Sequence, residues 1–264
     1  MSGLVPFEAK LLLAHVMDRD RAWLAAHGDA ALTREQALAY DALARRRRNG
    51  EPVAYLTGHR EFFGLELEVT PDVLIPRPET ELLVELALTW LDNETSASVL
   101  DLGCGSGAVA LAIAHARPRA RVVGADVAPA AVALARRNAE RLAIGNADFI
   151  ESDWFHRVPR EPFALIVANP PYVAAEDAHL GQGDLRFEPA AALASGGDGL
   201  DAIRAIVASA PGYLASGSML ALEHGHDQAK AVQALLRDAG FGDIAFARDL
   251  VGIPRVTYGR CRAS

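Results

Sequence analysis

The residues of this sequence best suited to do chemistry stand where an apolar run stops. Leu165-Ile166-Val167-Ala168 reads as the end of a buried strand, and Asn169-Pro170-Pro171-Tyr172 follows it directly. An NH2 group attached to a carbonyl or an aromatic ring is a poor nucleophile, because its lone pair is delocalised. Accepting hydrogen bonds from both of its N–H groups turns the lone pair outward and stabilises the positive charge that develops on nitrogen during reaction. Asn169 supplies a side-chain carbonyl for this and Pro170 a backbone carbonyl, while the rings of Pro170 and Pro171 stiffen the turn. Tyr172 adds a flat face against which a planar amide or base can lie, a contact worth on the order of 1 kcal/mol. Read by residue type, the tetrapeptide is a clamp for an NH2 group. Asn169, Pro170 and Tyr172 are the catalytic candidates, and all four residues are substrate-binding candidates. The clamp needs no strong base, and no His or carboxylate stands at this spot.

A second cluster, Asp101-Leu102-Gly103-Cys104-Gly105-Ser106-Gly107-Ala108, is a glycine-rich turn between an apolar strand and a helix. Glycines allow tight turning and close approach of backbone to a ligand, and the helix start that follows presents free amide donors. The turn can be read as Gly-x-Gly-x-x-Ala, a dinucleotide fingerprint. It can also be read as Asp-x-Gly-x-Gly-x-Gly, which resembles the first motif of S-adenosylmethionine-dependent methyltransferases. Asp126, at the end of the next strand, suits the ribose hydroxyls of either cofactor. Two features favour the second reading. Asp101 precedes the first glycine, where a carboxylate can meet the ammonium end of a methionine moiety. Ser152-Asp153-Trp154 follows the third strand, where an acid and a ring can bound an adenine. Hydride transfer has no use for the Asn-Pro-Pro-Tyr clamp, whereas methyl transfer depends chiefly on in-line positioning. The expected cofactor contacts are Gly103, Cys104, Gly105, Ser106, Gly107, Asp126, Asp153, Trp154 and Asn169.

The elements that must position these groups alternate. Strands at 99–102, 121–125, 148–150, 163–167, 219–222, 244–247 and 255–258 are interleaved with helices at 106–116, 129–142, 200–214 and 228–236. This predicts an α/β fold with a doubly wound, mostly parallel, seven-stranded sheet. In such a sheet the fourth strand lies beside the first at the topological switch point, which brings Asn169 toward the glycine turn. A helix over 79–91 precedes the sheet, with Leu82, Leu83, Leu86 and Leu88 as its packing residues. Residues 1–50 read as helical throughout, with a Thr33-x-x-Gln36 capping box before a periodic run. The Pro- and Gly-punctuated stretch after them reads as a hairpin-containing linker. The expected division is a small N-terminal helical substrate-binding domain over 1–51, a linker over 52–78 and a catalytic domain over 79–264.

The chain has 264 residues, of which 51% are hydrophobic, so it can bury a substantial core. Its net charge of −8 argues against a protein whose main task is gripping nucleic-acid phosphates. Cys104 and Cys261 lack metal-ligand spacing, so no metal is expected, and two isolated thiols suit a reducing compartment. No run reaches the roughly 18 apolar residues of a membrane span, and a cytoplasmic protein is expected.

Beyond the clamp, five further stretches carry a family resemblance. They are Pro52-Val53-Ala54-Tyr55-Leu56-Thr57-Gly58, Ile75-Pro76-Arg77-Pro78-Glu79-Thr80-Glu81, Gly183-Asp184-Leu185-Arg186-Phe187-Glu188-Pro189, Leu222-Glu223-His224-Gly225 and Arg248-Asp249-Leu250. Together with Asn169-Pro170-Pro171-Tyr172 they resemble the peptide chain release factor N5-glutamine methyltransferases, firmly from Pro52 onward and loosely before it. The resemblance implies a seven-stranded methyltransferase (Rossmann-like) domain that uses S-adenosylmethionine and leaves S-adenosylhomocysteine. Its substrate would be the glutamine in the Gly-Gly-Gln tip of class-1 translation release factors, held in part by the small helical domain. An adenine-N6 methyltransferase of nucleic acid shares the clamp and is the alternative, but it calls for a basic groove that the charge balance does not suggest.

Other residues carry weaker signals. Arg45 to Arg48 close a helix, either as solvated cations complementing its carbonyl end or as a surface for an anionic partner. The loop over 173–198 is long enough to be a lid or binding element, with Arg186 and Glu188 able to grip a protein backbone or carboxylate. Pro76-Arg77-Pro78 is placed to roof the cofactor cleft. His224 and His226 read as loop histidines.

Overall fold

The computed structural model describes residues 4–92 and 96–262. Residues 1–3 of the expected N-terminal domain, and 93–95 and 263–264 of the expected catalytic domain, lie outside the described residues. The reading of the N-terminal stretch as helical throughout needs correction, because capping side chains restart the helix twice. α1 (Pro6–Met17) stops where Asp18 takes a left-handed φ of 51°. α2 (Arg21–Ala26) begins on Asp20, whose carboxylate accepts the Trp23 amide at 2.6 Å. α3 (Arg34–Arg48) begins on the expected capping box. Gln36 N donates to Thr33 Oγ1 at 3.1 Å, and Thr33 N donates to Gln36 Oε1 at 3.0 Å. Short polar side chains that satisfy free backbone amides compete with helix continuation.

The stretch after Pro52 holds α4 (Val53–Thr57) and an antiparallel hairpin of β1 (His59–Phe62) and β2 (Leu65–Glu68). Phe63 and Gly64 join the two strands with φ values of 50° and 77°. Positive φ at both central residues is what a two-residue turn needs to match the twist of its strands. Glu61 Oε1 accepts the Gly64 amide at 2.7 Å, and Glu81 Oε1 accepts the Phe63 amide at 3.0 Å, fixing that turn onto the next helix. That helix, α5 (Glu81–Trp90), buries Leu83, Val84 and Ala87. Leu82, Leu86 and Leu88, expected beside Leu83, are only partly covered at the edge of the same cluster.

The remaining elements are β3 (Ser98–Leu102), α6 (Ala108–Ala116), β4 (Arg121–Asp126), α7 (Pro129–Arg141), β5 (Ala147–Glu151), β6 (Phe163–Ala168), α8 (Asp201–Ser209), β7 (Leu214–Glu223), α9 (Ala229–Asp238), β8 (Gly242–Arg248) and β9 (Pro254–Arg260). Seven strands form one sheet in the order β5-β4-β3-β6-β7-β9-β8. β3 to β7 run parallel, while β9 is antiparallel to both β7 and β8. The chain reverses direction across the sheet between β3 and β6, where doubly wound sheets open their binding crevice.

Central strands are apolar without interruption because both faces are covered. Val99, Leu165, Val167 and Ala221 point toward α5, α6 and α7, while Leu100, Leu102, Ile166 and Leu222 point toward α8 and α9. α6 is buried at every position from Ala108 to Ala114, as a helix apolar on all sides must be. Among the described residues no helix is long and apolar enough to cross a membrane.

Candidate active site

Strand register brings the expected residues together. Leu102 is opposite both Ala125 and Ala168, and Ala168 is opposite Leu222. The next residues along these four strands are Gly103, Asp126, Asn169 and Glu223, a row across the carboxyl ends of the sheet. Successive side chains alternate in direction, so Asp101, Asn169 and Glu223 share the face that carries α5 and α6.

A cleft of about 320 Å³ opens above this row. Gly103, Cys104, Gly105 and Ser106 line it from the turn, with Asp126 after β4, Asp153 and Trp154 after β5, and Asn169 and Pro171 after β6. Asp72, Val73, Leu74 and Pro76 cover it from the linker. That cover is fastened twice: the Tyr55 hydroxyl donates to the Val73 carbonyl at 2.6 Å, and the Ile75 amide donates to Glu188 at 3.0 Å. Gly107, Pro170 and Tyr172 are not among the lining residues. Gly107 begins α6 at φ 83°, where a Cβ would press within 3.1 Å of Ala135, Leu111 and Phe149. Pro170 is buried, and Tyr172 turns its hydroxyl to Glu223 Oε1 at 3.2 Å.

The two aspartates differ in environment. Asp101 lies under the first turn of α6 and accepts the Ala110 amide at 3.0 Å. Burial pushes its carboxyl up to about 7, that amide pulls it down, and the charge of Asp126 adds to the rise. Asp126 accepts the Gly105 amide on Oδ2 and the Ala128 amide on Oδ1, both at 2.9 Å. A carboxylate has about four acceptor sites, so about two remain for a ligand. Trp154 holds a left-handed φ of 43°, with its carbonyl taken by the Ser152 hydroxyl at 2.8 Å. This aims the indole at Gly103, where an added Cβ would lie 3.7 Å from the ring. Cys104 is buried in the turn, and burial raises its thiol well above the ordinary range.

Several side chains act differently from expectation. Arg186 and Glu188 grip this chain itself. Arg186 donates to the Asn49 carbonyl, and Glu188 pairs with Arg77 as well as taking the Ile75 amide. Arg47 pairs with Glu8 and with Asp184, both at 2.8 Å, so the arginine run ties the N-terminal helices to the long loop. His224 lies in the loop just past β7, as expected, but is fully buried: its Nε2 is 2.7 Å from Thr257 Oγ1, and burial lowers its pKa.

Three residues of the site had been given no role from the sequence. Glu223 is 1% exposed and burial pushes its carboxyl up to about 7. Thr80, also buried, accepts from Asn169 Nδ2 at 3.1 Å. Asn138 pairs with both backbone groups of Glu68 and donates to the Ser106 carbonyl at 3.0 Å, stapling the hairpin to the glycine turn. Asn138 had a readable signal, since it falls on the buried stripe of α7 with Ala131, Leu134, Ala135 and Ala139. Glu223 ends an apolar strand, the same signal that drew attention to Asn169.

The fold and cleft are those of a methyltransferase, and comparison with known proteins agrees. Residues 79–200 match the "Methyltransferase small domain" model, and residues 3–58 match the "PrmC N-terminal domain" model. A 16S rRNA N2 G1207 methyltransferase of T. thermophilus, solved with AdoMet and guanosine, superposes with a TM-score of 0.58 at 25% identity, over 77% of this chain and 50% of that one. Release factor glutamine methyltransferases of Bordetella pertussis and Burkholderia pseudomallei are 50% and 51% identical, over 97% and 98% of this chain and 95% and 93% of theirs. The chain belongs to the release factor glutamine methyltransferase family.

Proposed function

We propose that this protein transfers a methyl group from S-adenosylmethionine to the side-chain amide nitrogen (N5) of the glutamine in the Gly-Gly-Gln motif of class-1 release factors. The observation that carries this reading is the placement of Asn169 on the same cleft as the glycine turn, Asp126 and Trp154. The donor set suits that cofactor. Asp101 provides a deep acceptor for an ammonium group, Asp126 has acceptor sites for ribose hydroxyls, and Trp154 with Asp153 bounds a ring. Gly105 leaves open space where a Cβ would project, as a cradle for a bulky ligand needs. When bound, the cofactor supplies an electrophilic methyl carried on positively charged sulfur.

The chain's own residues make the amide nitrogen reactive. Asn169 Oδ1 and the Pro170 carbonyl accept its two N–H groups and stabilise the charge that grows there. The roof from Asp72 to Pro76 limits water. Tyr172, which does not line the cleft, steadies the turn that carries Asn169 through its hydroxyl bond to Glu223. An uncharged amide that is oriented in this way needs no general base before transfer; the surplus proton on the methylated nitrogen, strongly acidic, passes afterward to solvent water. A translation-factor substrate places the activity in the cytoplasm.

Incubation with radiolabelled S-adenosylmethionine and either a release factor or DNA tests the reading. Label in the release factor, lost when its glutamine is replaced, is the expected result; label in DNA alone overturns it. Asn169→Ala should lower kcat about 100- to 1,000-fold, the typical cost of one transition-state hydrogen-bonding group, with cofactor affinity affected far less than kcat. Near-normal turnover in that variant removes the clamp.

A further inference from the structure

The Asn169 carboxamide has nearly the same shape whichever way round it sits, yet only its oxygen can accept from a substrate NH2. Something must break that symmetry. Asn169 Nδ2 is 3.1 Å from the Thr80 hydroxyl oxygen. A hydroxyl has one proton. If Thr80 gave it to Asn169, the carboxamide would turn its NH2 to the cleft and the clamp would fail. If Thr80 gives it elsewhere, its lone pairs accept the Asn169 NH2 and the oxygen faces the cleft.

The other acceptor is Glu223. It stands at the end of β7 beside Asn169, 1% exposed, with the Tyr172 hydroxyl on Oε1 and Oε2 buried without a hydrogen-bond partner. The Thr80 hydroxyl is beside the same carboxyl group. A carboxylate only accepts, so it draws both hydroxyl protons toward itself. Resting on the reading that Asn169 holds the substrate amide, we propose that Glu223 and Thr80 are positioning residues that lock the Asn169 oxygen toward the reacting nitrogen, with Tyr172 anchored by the same carboxylate.

A protonated Glu223 has one oxygen that donates and only one left to accept, so it can no longer take both hydroxyl protons; the Thr80 proton is freed and Asn169 can turn. The charges that bear on Glu223 are Arg255 on β9, which favours the carboxylate, and Glu79 before α5, which opposes it; burial, the largest influence, holds the carboxyl at about 7. The lock therefore releases on the acid side of neutrality.

The test compares Glu223→Gln, Thr80→Val and Thr80→Ser with the intact enzyme, using release factor as substrate. Glu223→Gln keeps size while adding a donor, and should lower kcat about 10- to 100-fold with KM for the release factor within about threefold, in line with the cost of misplacing a reacting group. Thr80→Val should lose a similar factor and Thr80→Ser should recover most of it. The Glu223→Gln/Thr80→Val double variant should be no worse than the poorer single, as members of one network behave. The acid limb of the kcat–pH profile should disappear in Glu223→Gln. Equal damage in Thr80→Ser and Thr80→Val, kcat within twofold of normal in Glu223→Gln, or multiplicative losses in the double variant overturns the inference. Should Glu223→Gln not fold, the Thr80 pair decides. If Asn169→Ala also keeps normal turnover, the underlying clamp is wrong; if Asn169→Ala is inactive while Glu223→Gln is normal, only this inference falls.

Discussion

Acidification should cost this protein its cofactor through a single carboxyl group. Asp101 is 1% exposed, and its carboxyl is held at about 7 by burial, against the Ala110 amide and with a contribution from Asp126. An ammonium bound against Asp101 requires the carboxylate, so below neutrality the free protein must lose a proton before binding. The carboxylate fraction falls about tenfold for each pH unit below the pKa, and an α-amino group titrating near 7.7–8.0 gains charge over part of that range. Together these put the loss of S-adenosylmethionine affinity at roughly 20-fold between pH 7.5 and pH 5.5. Isothermal titration calorimetry across that range measures it, and repeating the titration at pH 6 in buffers of different ionisation enthalpy counts protons. About one proton should be released per cofactor bound, and Asp101→Asn should bind weakly with little dependence on pH. An affinity that changes less than about threefold, or an Asp101→Asn variant with the full slope, refutes the assignment of Asp101 to the ammonium group.

The same carboxyl has the opposite effect on the free protein's stability. Its folded pKa of about 7 lies above the ordinary 3.8, so the native state holds the extra proton and stability is lost as pH rises through that window. Asp101→Asn should therefore gain stability relative to the unaltered protein between pH 4 and pH 7 in urea denaturation; a constant difference would contradict the raised pKa. Glu188→Ala should cost about 3 kcal/mol in the same assay, because it strands Arg77 and the Ile75 amide and loosens the roof. A loss below about 1 kcal/mol would mean that the pair does not hold the linker. Gly199 has φ 78°, and a Cβ there would lie 2.2 Å from the Tyr172 carbonyl. Gly199→Ala should destabilise by more than about 2 kcal/mol and lower kcat by displacing the turn from Asn169 to Tyr172; an unaffected variant would show that the loop yields freely.

Much of the architecture was legible because its causes are local. Alternating apolar runs and helical periods marked the seven strands and their helices, and Asn-Pro-Pro-Tyr and the glycine turn marked two strand ends by residue type alone. The Thr33–Gln36 box was legible for the same reason, since both of its hydrogen bonds span three residues. What could not be read joins residues far apart in the chain. Asn169 meets Thr80 across 89 positions, Tyr172 meets Glu223 across 51, and Arg77 meets Glu188 across 111. Arg186 and Glu188 looked free to grip another protein because nothing near them in sequence is their partner. The sequence by itself determined which groups the site has and the order of the strands that carry them. Only the tertiary structure decided which way Asn169 is held, how far Asp101 and Glu223 are shifted, and that the long loop clasps the linker, because hydrogen-bond partners and desolvation depend on distances in space that chain order does not contain.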